Sequence, residues 1–141
     1  MAQFTEVAVQ EVASLQNVIF SNTPISCNRG CVLHRIGSGI FTLRGAGNQC
    51  RTRYRVSFGA NVAIPEGGTV GPISIALTLD GENLGEATAI VTPAAAGDFF
   101  NVYVSTFIDV TGYCCASVSV KNIGDAPIDV QNANLIIERV A

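Results

Sequence analysis

Apolar and polar residues alternate with a period of two through most of this chain. The clearest run spans 50–60. Thr52, Tyr54, Val56 and Phe58 fall on one face, and Arg51, Arg53, Arg55 and Ser57 on the other, the split that a pleated strand imposes. Ile73, Ile75, Leu77 and Leu79 form a second such face, and Asp80-Gly81 directly after them is a strong hairpin signal. Further extended runs cover 4–13, 16–20, 32–36, 40–44, 84–91, 99–110, 114–122 and 128–140. Gly-, Pro-, Ser- and Asn-rich stretches separate them, the longest being a loop predicted over 21–30. No segment sustains a 3.6-residue apolar repeat beyond about ten residues. The one helical rival, 4–15, carries valines that favour strand. The pattern predicts an all-β chain of about eight to ten short antiparallel strands, a sandwich or barrel. Without internal repeat or linker, 1–141 reads as a single domain.

The last residues, 135–140, are apolar and β-branched enough to be a core strand, and no polar tail follows them. A final strand of this kind points to apolar surface shared between subunits. Composition agrees. Hydrophobic residues make up 48% of the 141 residues and charged residues 13%, about half the usual charged share. Large subunit contacts would cover so sparsely charged a surface. The net charge of −3, with Lys121 the only lysine, excludes binding of nucleic acid by phosphate neutralisation. No basic and apolar leader opens the chain, and no apolar run approaches the ~18 residues of a membrane span. The expectation is a protein made in a cytoplasm and used as made, with no membrane partner.

The candidate chemistry is thin. His34 is the only histidine, and Gly37-Ser38-Gly39 beside it is not a nucleophile elbow. Gly45-Ala46-Gly47 begins like a dinucleotide fingerprint, but Cys50 stands at the third glycine position and no helix follows. The carboxylates are scattered. The five cysteines (Cys27, Cys31, Cys50, Cys114, Cys115) are an odd set. Cys27 and Cys31 can be buried thiols, a loop-closing disulfide or, with His34 and Cys50, part of a loose zinc pattern. Residues 31 and 34 point to opposite faces of a strand, which disfavours zinc. Cys114 and Cys115 also point apart, so no bond between them is expected. No catalytic residue, cofactor or metal is assigned.

The row Arg51, Arg53 and Arg55 is the most distinctive polar feature. It is either the solvated outer face of an antiparallel strand or a contact stripe whose guanidinium forks suit fixed carboxylates. Phe41, Tyr54, Phe58, Phe99, Phe100, Tyr103 and Phe107 are strand-spaced and read as core or subunit interface. Phe99 or Phe100 could instead line a glycan site at a loop tip.

From about residue 71 to the end, the chain resembles the C-terminal domains of collagen-like spore-surface glycoproteins. These belong to the tumour-necrosis-factor/C1q-like jelly-roll group of trimers. The hairpin 76–84, the extended run 99–110 and the close 133–141, ending Glu138-Arg139-Val140-Ala141, carry the likeness. No Gly-x-y stretch precedes the domain. The whole chain is similar to short stand-alone proteins of gut phages regarded as unassigned or as head-decoration candidates. The resemblance implies a jelly-roll homotrimer with Tyr54, Tyr103, Leu135 and Ile137 as trimer-interface candidates. It implies no enzymatic activity. The expected role is a capsid decoration protein on the virion surface, partnered by the major capsid protein. In that role the arginine row would dock on the capsid or pair with Glu66, Asp80 or Glu82 of a neighbour. Residues 1–20 would be either the first strand of the roll or a capsid-docking arm. The alternatives are a trimeric bacterial surface or spore-coat protein, or a glycan-binding module.

Overall fold

The structure, a computed structural model, describes residues 1–27, 31–46, 50–112 and 115–141. Eleven strands appear among them: β1 (Ala2–Glu6), β2 (Gln10–Val12), β3 (Asn22–Ile25), β4 (Val32–His34), β5 (Ile40–Leu43), β6 (Arg51–Ala63), β7 (Ile73–Leu79), β8 (Glu82–Val91), β9 (Phe100–Thr111), β10 (Ala116–Asn122) and β11 (Ile128–Arg139). They form two antiparallel sheets. The first runs β3-β1-β11-β6-β9 with β2 also on β11, and the second runs β4-β5-β10-β7-β8. The chain passes repeatedly from one sheet to the other, which makes a jelly-roll sandwich, as the alternation and the resemblance predicted.

Three local differences separate the observed strands from the expected runs. The run 4–13 divides into β1 and β2, β3 lies inside the predicted loop 21–30, and the expected run 16–20 forms no strand but a single bridge from Asn17 to Lys121. All four residues of β3 are exposed, so no alternation betrays it. Pro24 is tolerated there because β3 is an edge strand. β11 serves both halves of the divided run. It pairs β2 at Ile128–Val130 and β1 at Ala133–Ile137, and it bulges between them at Asn132, whose φ is +57°.

Period two fixes what lies inside. Tyr54, Val56 and Phe58 of β6, Ile75 and Leu77 of β7, and Leu135 and Ile137 of β11 are all at most 1% exposed. Phe20, Phe41 and Phe58 pack as tilted and edge-on rings 5.4–6.3 Å apart between the sheets, a favourable aromatic geometry. Residues 2–20 belong to this body: Ala2, Phe4, Val12, Val18 and Phe20 are buried. They form the roll rather than an arm.

Two details lock the connections. Asn122 is fully buried, donates Nδ2 to the Val12 and Ala126 carbonyls and accepts from the Gly124 N–H, so its amide is nearly satisfied. At the hairpin, Asp80 and Gly81 have φ of +50° and +88°, the double positive φ that matches strand twist and favours Asp-Gly. No helix among the described residues is long and apolar enough to cross a membrane.

Replacing Ile137 with Asp would bury an unpaired carboxylate in this layer. The cost should be on the order of 4 kcal/mol or more, a large share of a typical domain's stability. Thermal melting should show loss of the cooperative transition; a normal melt would mean that Ile137 is not core.

Candidate functional site

The outer face of the first sheet gathers most of the residues singled out above. Register sets three rows across it. Glu138, Arg55 and Phe107 are opposite one another on β11, β6 and β9; so are Ile136, Ser57 and Ser105; so are Asn134, Gly59 and Tyr103. These rows enclose a shallow depression of about 510 Å3 whose lining includes Arg55, Tyr103, Ile136 and Glu138. Tyr103 and Phe107 stand out from β9 with 65% and 59% of their surface exposed. The Tyr103 ring lies beside Gly59, where an added Cβ would come within 3.6 Å of it. The Ser57 and Ser105 hydroxyls meet at 3.0 Å beneath it. Ser57, Ser105 and, more weakly, Arg55 hold the Tyr103 phenol below its ordinary range.

The arginine row lies on this same face, and its partners are strand neighbours within the chain. Arg53 donates to both carboxylate oxygens of Asp109 at 2.8 and 3.1 Å, with Arg51 3.8 Å from the same group. Arg55 pairs with Glu138. Both main pairs are direct cross-strand neighbours. The row is therefore the outer face of an antiparallel strand. Its partners are Asp109, shared by Arg53 and Arg51, and Glu138, rather than Glu66, Asp80 or Glu82, and two carboxylates against three guanidiniums leave one positive charge in excess. Pairs this exposed add little stability, but they hold the guanidinium planes in one geometry.

Three of the four interface candidates lie elsewhere. Tyr54 is 1% exposed and donates its hydroxyl to the Arg44 carbonyl at 2.6 Å; burial pushes its phenol up. Leu135 and Ile137 face the same interior. Each shares a strand face with apolar neighbours two residues away, so each fills its own subunit's core and is unavailable to another. Tyr103 alone is on the surface. Ile136, between the two buried candidates, lies on the outer face with Asn134 and Glu138. The signal for this choice was present: Tyr103 and Phe107 are four residues apart on a strand and must share a face. Asp109 and Glu138 could not be identified, because pairing them with arginines requires the register.

Cys27 and Cys31 form a disulfide with Cα atoms 6.0 Å apart, which settles their three readings and leaves no thiolates there for zinc. Cys50 is an exposed thiol. Cys115 is disulfide-bonded rather than a thiol, and Cys114 lies outside the described residues. His34 is tucked between Phe4 and Phe41 with ring centroids 5.0 and 4.2 Å away, and its Nε2 is 2.8 Å from the Ser38 carbonyl. Phe99 and Phe100 are partly exposed at the start of β9.

No family model matches the sequence, and no curated protein matches it. Among solved structures, the globular domain of zebrafish complement 1qA aligns over 96% of this chain and 94% of its own length, with 14% identity and a TM-score of 0.59. The two share the jelly-roll fold. A sugar-binding protein, the EclA C-terminal domain, aligns over 94% of this chain and 79% of its own at 14% identity and a TM-score of 0.43. A xylan-binding domain from Paenibacillus barcinonensis aligns over 99% and 87% at 9% identity and a TM-score of 0.38. The last two alignments are too loose to define a common fold.

The Arg53 bond, with lesser help from the charges of Arg53 and Arg51, holds the Asp109 carboxyl below the usual carboxylate range. The folded chain thus binds this proton less readily than the unfolded one. The pair's contribution is present above the unfolded value of about 3.9 and lost as pH falls through the lower folded value. An NMR titration of Asp109 should show that depression, and Arg53→Gln should return it to the ordinary value; an ordinary value in the unaltered protein would mean that the pair does not form.

Proposed function

We propose that this protein is a non-enzymatic assembly module that forms a homotrimer through the outer face of its first sheet, and that the trimer decorates a tailed-phage capsid. The observation that carries the assembly is the pair of exposed aromatics, Tyr103 and Phe107, beside Arg53 and Arg55, each of which is held by a carboxylate of the same chain. Aromatic anchors beside fixed arginines are what interface centres are made of. Arg53 and Arg55 each carry a carboxylate partner from the same chain, so the aromatic centre of the face can be desolvated with those two charges paired, while Arg51 stays at the solvated rim. Around a threefold axis, Tyr103, Phe107 and Ile136 of the three copies would converge where this face of each subunit approaches the axis.

The capsid role rests on the resemblance to stand-alone phage proteins regarded as unassigned or as head-decoration candidates, and on a surface poor in charge. The Cys27–Cys31 disulfide suits a particle that leaves the reducing cytoplasm. The major capsid protein is the partner in this reading.

Native mass spectrometry at nanomolar concentration should record three chains; a monomer there would overturn the assembly. Tyr103→Glu with Phe107→Glu should weaken assembly by about 100-fold or more, since interface anchors contribute about 2 kcal/mol or more each, and should leave the monomer's melt intact. A trimer of undiminished affinity would place the interface elsewhere. Purified virions of the same phage should contain the chain in capsid-stoichiometric amount, and its absence from them would remove the capsid role.

A further inference from the structure

The second sheet has an outer face of a different kind. Register places Leu33, Thr42 and Ser117 in one row across it, Ile40, Ser119, Thr78 and Asn83 in the next, and Asn17, Lys121, Ala76 and Thr88 in a third. Seven of these eleven positions carry a hydroxyl or a side-chain amide, and a single one, Lys121, is charged.

The centre of the face is concave. A depression of about 280 Å3 is lined by Thr78, Ser119, Asn17, Lys121 and the aliphatic side chains of Leu15 and Ile40. A second one, of about 550 Å3, continues from the other side of Ile40 past Thr42 and Ser38 to Arg35. The floor hydroxyls, Thr78 and Ser119, are 2% and 8% exposed and hydrogen-bond to each other. Two hydroxyls hold two donors and four acceptor sites, so that one bond leaves most of their capacity directed at whatever fills the depression. Leu15 forms the rim. It is 62% exposed and has a φ of +65°, an outlying conformation for a bulky apolar residue. Its N–H donates to the Asn122 carbonyl at 2.8 Å, which holds the backbone of Leu15 at the mouth.

We propose that this face binds a neutral saccharide. The floor and walls provide groups that both donate and accept, as a sugar hydroxyl does, and the Leu15 and Ile40 methyls suit the C–H faces of a pyranose. An apolar partner would strip water from the floor hydroxyls and return nothing, at the cost of unmade hydrogen bonds. A polyanion would find one lysine in the central depression. A sugar ring restores the bonds one for one, and the central depression of about 280 Å3 is close to the lower size of a small-ligand site. This site is on the sheet opposite the assembly face, so it goes beyond the assembly reading and does not depend on it.

The test uses the full chain and maltotriose, cellotriose and triacetylchitotriose as probes, each raised to about 10 mM, a range that reports dissociation constants near 1 mM. Backbone amides of Asn17, Thr78, Ser119 and Lys121 should shift with at least one probe, and those of Tyr103 and Phe107 should not. Thr78→Val with Ser119→Ala keeps the shape of the floor and removes its hydroxyls; it should weaken binding at least tenfold with an unchanged melt. Lys121→Ala, at the margin, gives a second reading should the floor variant fold poorly, and should weaken binding several-fold. No shift with any probe, or equal binding by the variants, overturns the inference. A monomer that binds would remove the trimer and keep this site, and a trimer without shifts would do the reverse.

Discussion

Two sheets share one apolar layer, and nearly every other feature of the molecule follows from filling it. Phe20, Phe41 and Phe58 occupy its centre, with Leu135 and Ile137 from β11 and Ile75 and Leu77 from β7 around them. β6, β7 and β11 each give every second residue to this layer, so the opposite residues are fixed outward with no freedom to exchange. A slip of one position would put Arg53 and Arg55 inside and Tyr54 and Val56 in water. The cost of that exchange locks the register. The locked register in turn decides which outward side chains meet.

On the first sheet the meeting is of charges and aromatics. Arg53 falls opposite Asp109 and Arg55 opposite Glu138, and Phe107 and Tyr103 extend the same rows toward the β9 edge. On the second sheet the outward residues are short and hydroxylated, and the centre sinks into a hollow floored by Thr78 and Ser119. The low charge content thus has two separate expressions: a face whose charges are largely paired within the chain, and a face that has almost none.

Much of this was legible in the sequence. The alternation at 50–60 and 73–79 and the Asp80-Gly81 turn directly indicate two-faced strands and a hairpin, because period two and double positive φ are local properties. The same alternation places Tyr54 inward with Val56 and Phe58, and Ile137 inward with Leu135. Their expected place at a subunit contact came from the resemblance and fails against that simpler rule. β3 was not legible, since an edge strand exposed on both faces has no hydrophobic period. The partners of the arginines were not legible either: Asp109 is 56 residues from Arg53 and Glu138 83 residues from Arg55, and only the strand order brings them together. The hydroxyl-lined hollow is of the same kind, assembled from β5, β7, β10 and the 15–17 segment.

The central claim is that the two outer faces have different fates, the first covered by copies of the chain and the second left open. Hydroxyl-radical footprinting of the assembled protein tests it most directly. Tyr103 and Phe107 are 65% and 59% exposed in a single chain. The account predicts that both are protected from oxidation in the assembly and become reactive on dilution to monomer, while Leu15 and Ile40 on the second sheet react equally in both states. Tyr103 and Phe107 oxidised at the same rate in both states would contradict it.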